Sequence, residues 1–166
     1  REKIKAIDSH NLLGSVETLP DQIQDAWEAT KSLVFPDTFH NVSNIIVSGM
    51  GGSSLGALVI KRLFKDELQV PLEIYPHYHL PGYASSDSLV ILSSYSGITE
   101  ETLAAAEHAE KVGAKIAVIT GGGTLAEIAK SKGWPMYVID PKFNPCGQPR
   151  MAIGYAEWGY RAELEA

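Results

Sequence analysis

The sequence predicts an α/β fold in which a parallel sheet of five strands is covered by helices on both faces. Three observations carry that expectation. Short apolar runs recur at "NIIVS", "VPLEIYP", "DSLVILSS", "KIAVIT" and "PMYVID". Each is nearly continuous in apolar residues rather than alternating, as strands buried on both sides are. Helical segments stand after the first, third and fourth runs, "LGALVIKRLF", "TLAAAEHAEKVG" and "TLAEIAKSKG", and parallel strands need such crossovers. The recurrence is one of topology and not a sequence repeat.

Residues 1–42 form an N-terminal helical extension to this pattern. Thr18 followed by Pro20 and Asp21 marks a helix start. Beyond it Ile23, Trp27, Thr30 and Val34, with Ala26 and Leu33, make an apolar stripe at helical spacing, which predicts a packing helix. The first strand then runs into "SGMGGSSLGA", where Gly49, Gly51 and Gly52 allow positive φ and close approach of a ligand to the backbone. A Gly-x-Gly-x-x-Gly frame starting at Gly49 has Ser54 at its third position, with Glu73 about where a ribose-binding acid would stand, so a dinucleotide fingerprint is matched only in part. A Walker loop is excluded, because no Gly-Lys-Ser/Thr follows the glycines.

The third strand ends in "SSYSGITEET". Ligands of open α/β sheets bind outside the carboxyl ends of the strands, and here Ser94, Ser96 and Thr99 gather where the chain enters a helix. The first turn of a helix has amide hydrogens without internal partners, and backbone amides with hydroxyls can surround an oxyanion without a lysine. Gly97 would let the backbone come close. The other reading is a helix cap, with Ser or Thr bonding the first amides while Glu100 and Glu101 complement the helix dipole. Both readings fit this loop taken alone. "KIAVIT" continues through "GGG" to the next helix, and "PMYVID" closes the sheet.

Composition narrows the function classes. A chain of 166 residues with 45% hydrophobic content suits a single domain with a full core. No apolar run approaches the roughly 20 residues of a membrane span, and "REKIKAIDSH" has no apolar stretch suited to a signal peptide, so a cytoplasmic protein is expected, with no membrane partner. The lone Cys146 agrees with a reducing compartment. With 14 Lys and Arg against 20 Asp and Glu, the net charge of −6 lacks the positive field that nucleic-acid binding relies on. An anionic ligand would need a local site.

Taken in order, "GMGGSSLGA", "SSYSGITEETL" and "NPCGQPRMAIGY" resemble the sugar isomerase (SIS) domain. With the opening "NLLGSVETLPDQIQDAW", they are most similar to the amino-terminal half of the bifunctional phosphoglucose/phosphomannose isomerases. The resemblance implies a three-layer α/β/α sandwich of flavodoxin-like strand order, formed by residues 1–166 as one SIS domain, with a second SIS domain following. It implies that Ser94, Ser96 and Thr99 bind the 6-phosphate of a sugar, that Gly52 and Ser53 adjoin the sugar, and that Arg150 serves the chemistry. Interconversion of glucose 6-phosphate or mannose 6-phosphate with fructose 6-phosphate passes through an enediolate, whose developing oxyanion a fixed guanidinium stabilises. Taken without the motif, Arg150 reads as a surface arginine after a Pro-rich loop. In the family the base is a glutamate beyond this domain and the ring-opening histidine comes from a partner subunit, so a homodimer is expected and this chain alone should lack its base. Glu157, Glu163 and Glu165 are not assigned that role. No cofactor and no metal is implied.

Other candidates have plainer readings. His77 and His79 have the spacing of a zinc pair but no third ligand nearby in sequence, and read as loop histidines. His108 reads as a surface residue of a helix. Trp27, Trp134 and Trp158 read as core or interface residues rather than a sugar platform, with Trp158 and Tyr155 the better interface candidates. Two further function classes stay open. One is a non-catalytic SIS module that binds sugar phosphate as a regulatory ligand. The other is a nucleotide-binding domain using Gly49, Gly51 and Glu73, which leaves the Ser94–Thr99 hydroxyls without a task.

Overall fold

The computed structural model describes residues 2–157 and 159. Three N-terminal helices come first, α1 (Glu2–Lys5), α2 (Leu12–Glu17) and α3 (Leu19–Thr30). Strands and helices then follow as β1 (Asn44–Gly49), α4 (Leu55–Leu63), β2 (Leu72–Ile74), β3 (Ser88–Ser94), α5 (Glu100–Val112), β4 (Lys115–Thr120), α6 (Gly123–Lys132) and β5 (Met136–Val138). All four strand pairings are parallel and the spatial order is β2-β1-β3-β4-β5, the five-stranded flavodoxin-like sheet that was expected.

The apolar runs conceal an alternation of two. Ile45 and Val47 of β1, Leu89 and Ile91 of β3, and Ala117 and Ile119 of β4 share one core with Ala26 of α3 and Ala57 and Ile60 of α4. Their neighbours Ile46, Val90, Leu92, Ile116 and Val118 face the opposite core, with Ala105 and Ala109 of α5 and Leu125 and Ala129 of α6. Successive side chains of a strand point to opposite faces, so a strand covered twice needs apolar residues at both parities. The placement of the helices follows from handedness. The β1–β2 and β3–β4 crossovers run in opposite directions across the sheet, and right-handed connections then put α4 and α5 on opposite faces. No helix among the described residues is long and apolar enough to cross a membrane.

Two expectations about packing need correction. The buried face of α3 is Gln22, Ala26 and Thr30, whereas Trp27 is exposed and Val34 lies beyond the helix and is 85% exposed. The stripe is rotated because the Gln22 amide is needed inside, where it donates to the carbonyls of Phe143 at 2.9 Å and Met151 at 2.8 Å. Tyr155, an interface candidate in the sequence, is a core residue instead. It is fully buried, and its hydroxyl accepts the Phe143 N–H at 3.0 Å. Trp158, Glu163 and Glu165 lie outside the described residues.

The connection from β2 to β3, residues 75–87, contains no helix. It is anchored to the α5 side by Leu80, which is buried in that core and whose amide donates to His108 Nδ1 at 3.0 Å. His108 thus holds a loop to a helix, a role that its helical position alone did not indicate.

Candidate functional site

The strand order reverses between β1 and β3, and the loops that follow these strands meet there, as the topology of open α/β sheets requires. Register places Gly49 beside Ser93, and Ser94 beside Thr120. The carboxyl ends of the three central strands are therefore level, and small residues line them.

After β1 the chain passes Met50 and forms a 3-10 turn, Gly51–Ser54, that leads into α4. Of the three glycines expected to give conformational freedom, only Gly51 has positive φ, at 54°. Gly49 and Gly52 are required for space instead. A β-carbon on Gly52 would stand 2.8 Å from the amide nitrogen of Arg150 and 2.9 Å from the carbonyl carbon of Pro149. Arg150, distant in sequence, is thereby laid against the first loop. Its residue is exposed, and no carboxylate among the described residues pairs with it.

Ser53 joins the first loop to the second. Its hydroxyl accepts the Tyr95 N–H at 3.1 Å, and its carbonyl accepts the Ser93 hydroxyl at 2.9 Å. In the second loop Ser94 Oγ lies 2.8 Å from Thr99 Oγ1 and accepts the Gly97 N–H at 3.1 Å. Ser94 is buried beneath this turn, Thr99 is half-buried and Ser96 is exposed, so the three hydroxyls occupy graded depths. Thr99 is the N-cap of α5, yet its side chain makes no cap bond. The hydroxyl that a cap would use bonds Ser94 instead, leaving the amides of the first turn of α5 uncapped by that side chain. The loop thus lacks the Thr99 side-chain cap that the second reading requires. Glu100 and Glu101 stand by Tyr78 of the β2–β3 connection, where the Glu101 charge, then burial and Glu100, raise the phenol pKa.

The turn after β4 supports the hydroxyl loop from below, a part that sequence reading passed over although three consecutive glycines after a strand are its signal. Gly97 has φ of 69°, and a β-carbon there would fall 1.7 Å from the Gly122 carbonyl oxygen. On Gly121 a β-carbon would meet the Tyr95 carbonyl at 2.7 Å, and on Gly123 the Ser96 carbonyl at 2.5 Å. The Gly121 N–H donates to Tyr95 O, the Leu125 N–H to Gly97 O, and the Thr120 hydroxyl reaches Ser94 O at 2.7 Å. Two backbones this close leave no room for side chains between them.

The remaining candidates are placed elsewhere or otherwise engaged. His77 and His79 are exposed, with ring centroids 6.0 Å apart, and both contact the Tyr75 ring. Among the described residues no group of three His, Cys, Asp or Glu side chains could hold a metal ion. Glu73 accepts a hydrogen bond from the Tyr83 hydroxyl, so it is already engaged where a dinucleotide would need it.

The SIS domain family profile matches residues 38–140. A bifunctional phosphoglucose/phosphomannose isomerase of Caldicellulosiruptor bescii is 41% identical over 143 residues, which cover 86% of this chain and 41% of that protein. A D-glucosamine-6-phosphate 4-epimerase of Sulfolobus acidocaldarius is 43% identical over 89 residues, 53% of this chain and 28% of that protein. Among solved structures, the C-terminal domain of glucosamine-fructose-6-phosphate aminotransferase from Francisella tularensis superposes with a TM-score of 0.65 at 14% identity, over 95% of this chain and 48% of that one. The chain thus spans well under half the length of the curated relatives it matches.

Proposed function

The chain belongs to the SIS domain family, and on that premise we propose that it is the sugar-phosphate-binding half of an aldose-ketose isomerase acting on glucose 6-phosphate or mannose 6-phosphate. The observation that carries this reading is the convergence of three loops at one end of the sheet. Gly52 is pressed against the Arg150 backbone, the Ser53 hydroxyl holds the Tyr95 amide, and Ser94 bonds Thr99 at the entrance to α5.

In this reading the 6-phosphate sits on the Ser94, Ser96 and Thr99 hydroxyls and the amides at the start of α5, where the helix dipole favours negative charge. Gly52 and Ser53 adjoin the sugar. Arg150 faces the oxygen that gains charge as the C2 proton leaves, and its guanidinium stabilises the enediolate because it stays ionised. Proton removal and ring opening each need a further group. The base is assigned to a glutamate in the connection to a second SIS domain C-terminal to this one, and the ring-opening histidine to the partner in a homodimer.

Similarity to a 4-epimerase does not by itself select the reaction, so the test follows the proton. In D₂O, NMR of fructose 6-phosphate with the 166-residue chain should show binding without exchange at the carbon that loses its proton. The full-length enzyme should exchange that position and isomerise. Rapid exchange by the 166-residue chain would place a base within it, and binding with no turnover in the full-length protein would favour a regulatory sugar-phosphate module.

A further inference from the structure

We propose that Gln22, in the N-terminal extension, is a positioning residue for Arg150. The inference rests on the role assigned above to Arg150. Both Gln22 and the segment 141–151 lie outside the residues matched to the SIS family, 38–140, so the family match assigns neither of them.

The segment is held at three backbone points by side chains of α2, of α3 and of Thr18 between them. The Phe143 carbonyl accepts from Thr18 Oγ1 at 2.7 Å and Gln22 Nε2 at 2.9 Å. The Cys146 N–H donates to Ser15 Oγ at 3.1 Å. The Met151 carbonyl, immediately after Arg150, accepts from Gln22 Nε2 at 2.8 Å. Ser15 and Gln22 are both fully buried. Two carbonyl oxygens converging on one atom require a donor with two hydrogens, and a neutral carboxamide supplies them without the desolvation penalty of a buried ammonium.

The site is also shaped for this side chain. A β-carbon on Gly154 would lie 2.9 Å from the Gln22 β-carbon, so glycine there leaves room for the staple. On its other side the segment rests on Gly52, with a hypothetical β-carbon only 2.8 Å from Arg150 N. Arg150 is therefore fixed between a buried amide from the extension and the first loop of the sheet. Because Gln22 reaches only backbone, it acts on the guanidinium through the path of the chain.

The test compares two open-chain probes with the 166-residue chain by calorimetry. Arabinonate 5-phosphate carries a carboxylate where the enediolate charge develops, and arabinitol 5-phosphate carries an alcohol there. The unmodified chain should prefer the acid by roughly 10–100-fold, the range of one charged hydrogen bond. Gln22→Met should lose most of that preference while binding the alditol phosphate within about twofold of the unmodified chain. Arg150→Ala should lose it as well, and the double variant should lose no more than Arg150→Ala, because the two residues act through one contact. Hydrogen exchange at residues 143–151 should quicken in Gln22→Met, with the β3 and β4 amides unchanged. Thr18→Val removes one of the same donors and should move both readouts in the same direction if Gln22→Met fails to fold. Retained preference with unchanged exchange would overturn the positioning role. Quickened exchange in a chain that never preferred the acid would instead sink the oxyanion role of Arg150.

Discussion

The Asn144 side-chain amide donates to the Tyr95 hydroxyl at 2.9 Å, joining residues 49 positions apart. Tyr95 lies in the hydroxyl loop and Asn144 in the segment 141–151 that carries Arg150. Asn144 is buried, and the same amide donates to the Gln148 carbonyl at 3.1 Å while its oxygen accepts from the Cys146 thiol. Burial raises the Tyr95 pKa, so the phenol stays neutral as an acceptor. The two loops of the proposed site are thus coupled through a polar contact that touches neither the hydroxyl cluster nor the guanidinium.

Tyr95→Phe keeps the ring and removes that acceptor. Urea unfolding should show a loss of about 1–3 kcal/mol, the cost of leaving a buried polar group short of a partner. Phosphate affinity should change little if the Ser94–Thr99 turn stands on its own backbone bonds. An unchanged unfolding midpoint would show that water replaces the phenol.

The graded depth of the three hydroxyls predicts different losses. Ser96→Ala and Thr99→Ala should each weaken binding of fructose 6-phosphate by about 1–3 kcal/mol in calorimetry, as for bonds to a charged group. Ser94→Ala should in addition lower stability, because its oxygen accepts the Gly97 N–H within the turn. If both exposed-side variants keep full affinity, the loop is not the phosphate site.

Gly97→Ala tests the backbone contact beneath the site. Its φ of 69° disfavours a side chain, and the added carbon would fall 1.7 Å from the Gly122 oxygen. The two turns must separate, so a loss of about 2–4 kcal/mol and of measurable phosphate binding is expected. Gly82→Ala, where a β-carbon would meet nothing within 4 Å, serves as the control and should be near neutral.

Alkaline unfolding should report Tyr155. Burial pushes its pKa from 10.0 up to about 12, against the bond from Phe143, which lowers it. A raised folded-state pKa means that the neutral phenol contributes stability fully present below about pH 10 and lost as pH climbs towards about 12. Denaturation series through that window should show stability falling with pH. Tyr155→Phe should be less stable at neutral pH by about 1–3 kcal/mol, through the unpaired Phe143 N–H, and should fall less steeply. Tyr83, also raised to about 12, and Tyr137, whose pKa burial raises as well, keep part of the slope. An identical slope in the variant would mean that Tyr155 ionises as freely in the folded chain as in the unfolded one.

The sheet and its helices were legible in the sequence because burial on two faces leaves a local mark. Runs such as "LVILSS" are apolar at both parities, and the turns after them are marked by glycine and serine at the point where each strand ends. The hydroxyl loop, and the motifs that identify the SIS family, are likewise contiguous residues. Only the tertiary structure decided which residues hold the site together. Gln22 and Asn144 are single polar residues outside any local pattern, and Gly121 to Gly123 show in the sequence only as a link from strand to helix. Their importance comes from carbonyls, amides and backbone approaches supplied by segments up to 129 residues away. Hydrogen bonds of that kind leave no periodicity, since a donor and its acceptor need share nothing but position in the folded chain. The rotation of α3 has the same cause. Apolar spacing pointed to Trp27 and Val34, whereas the paired carbonyls of Phe143 and Met151 turned Gln22 inward.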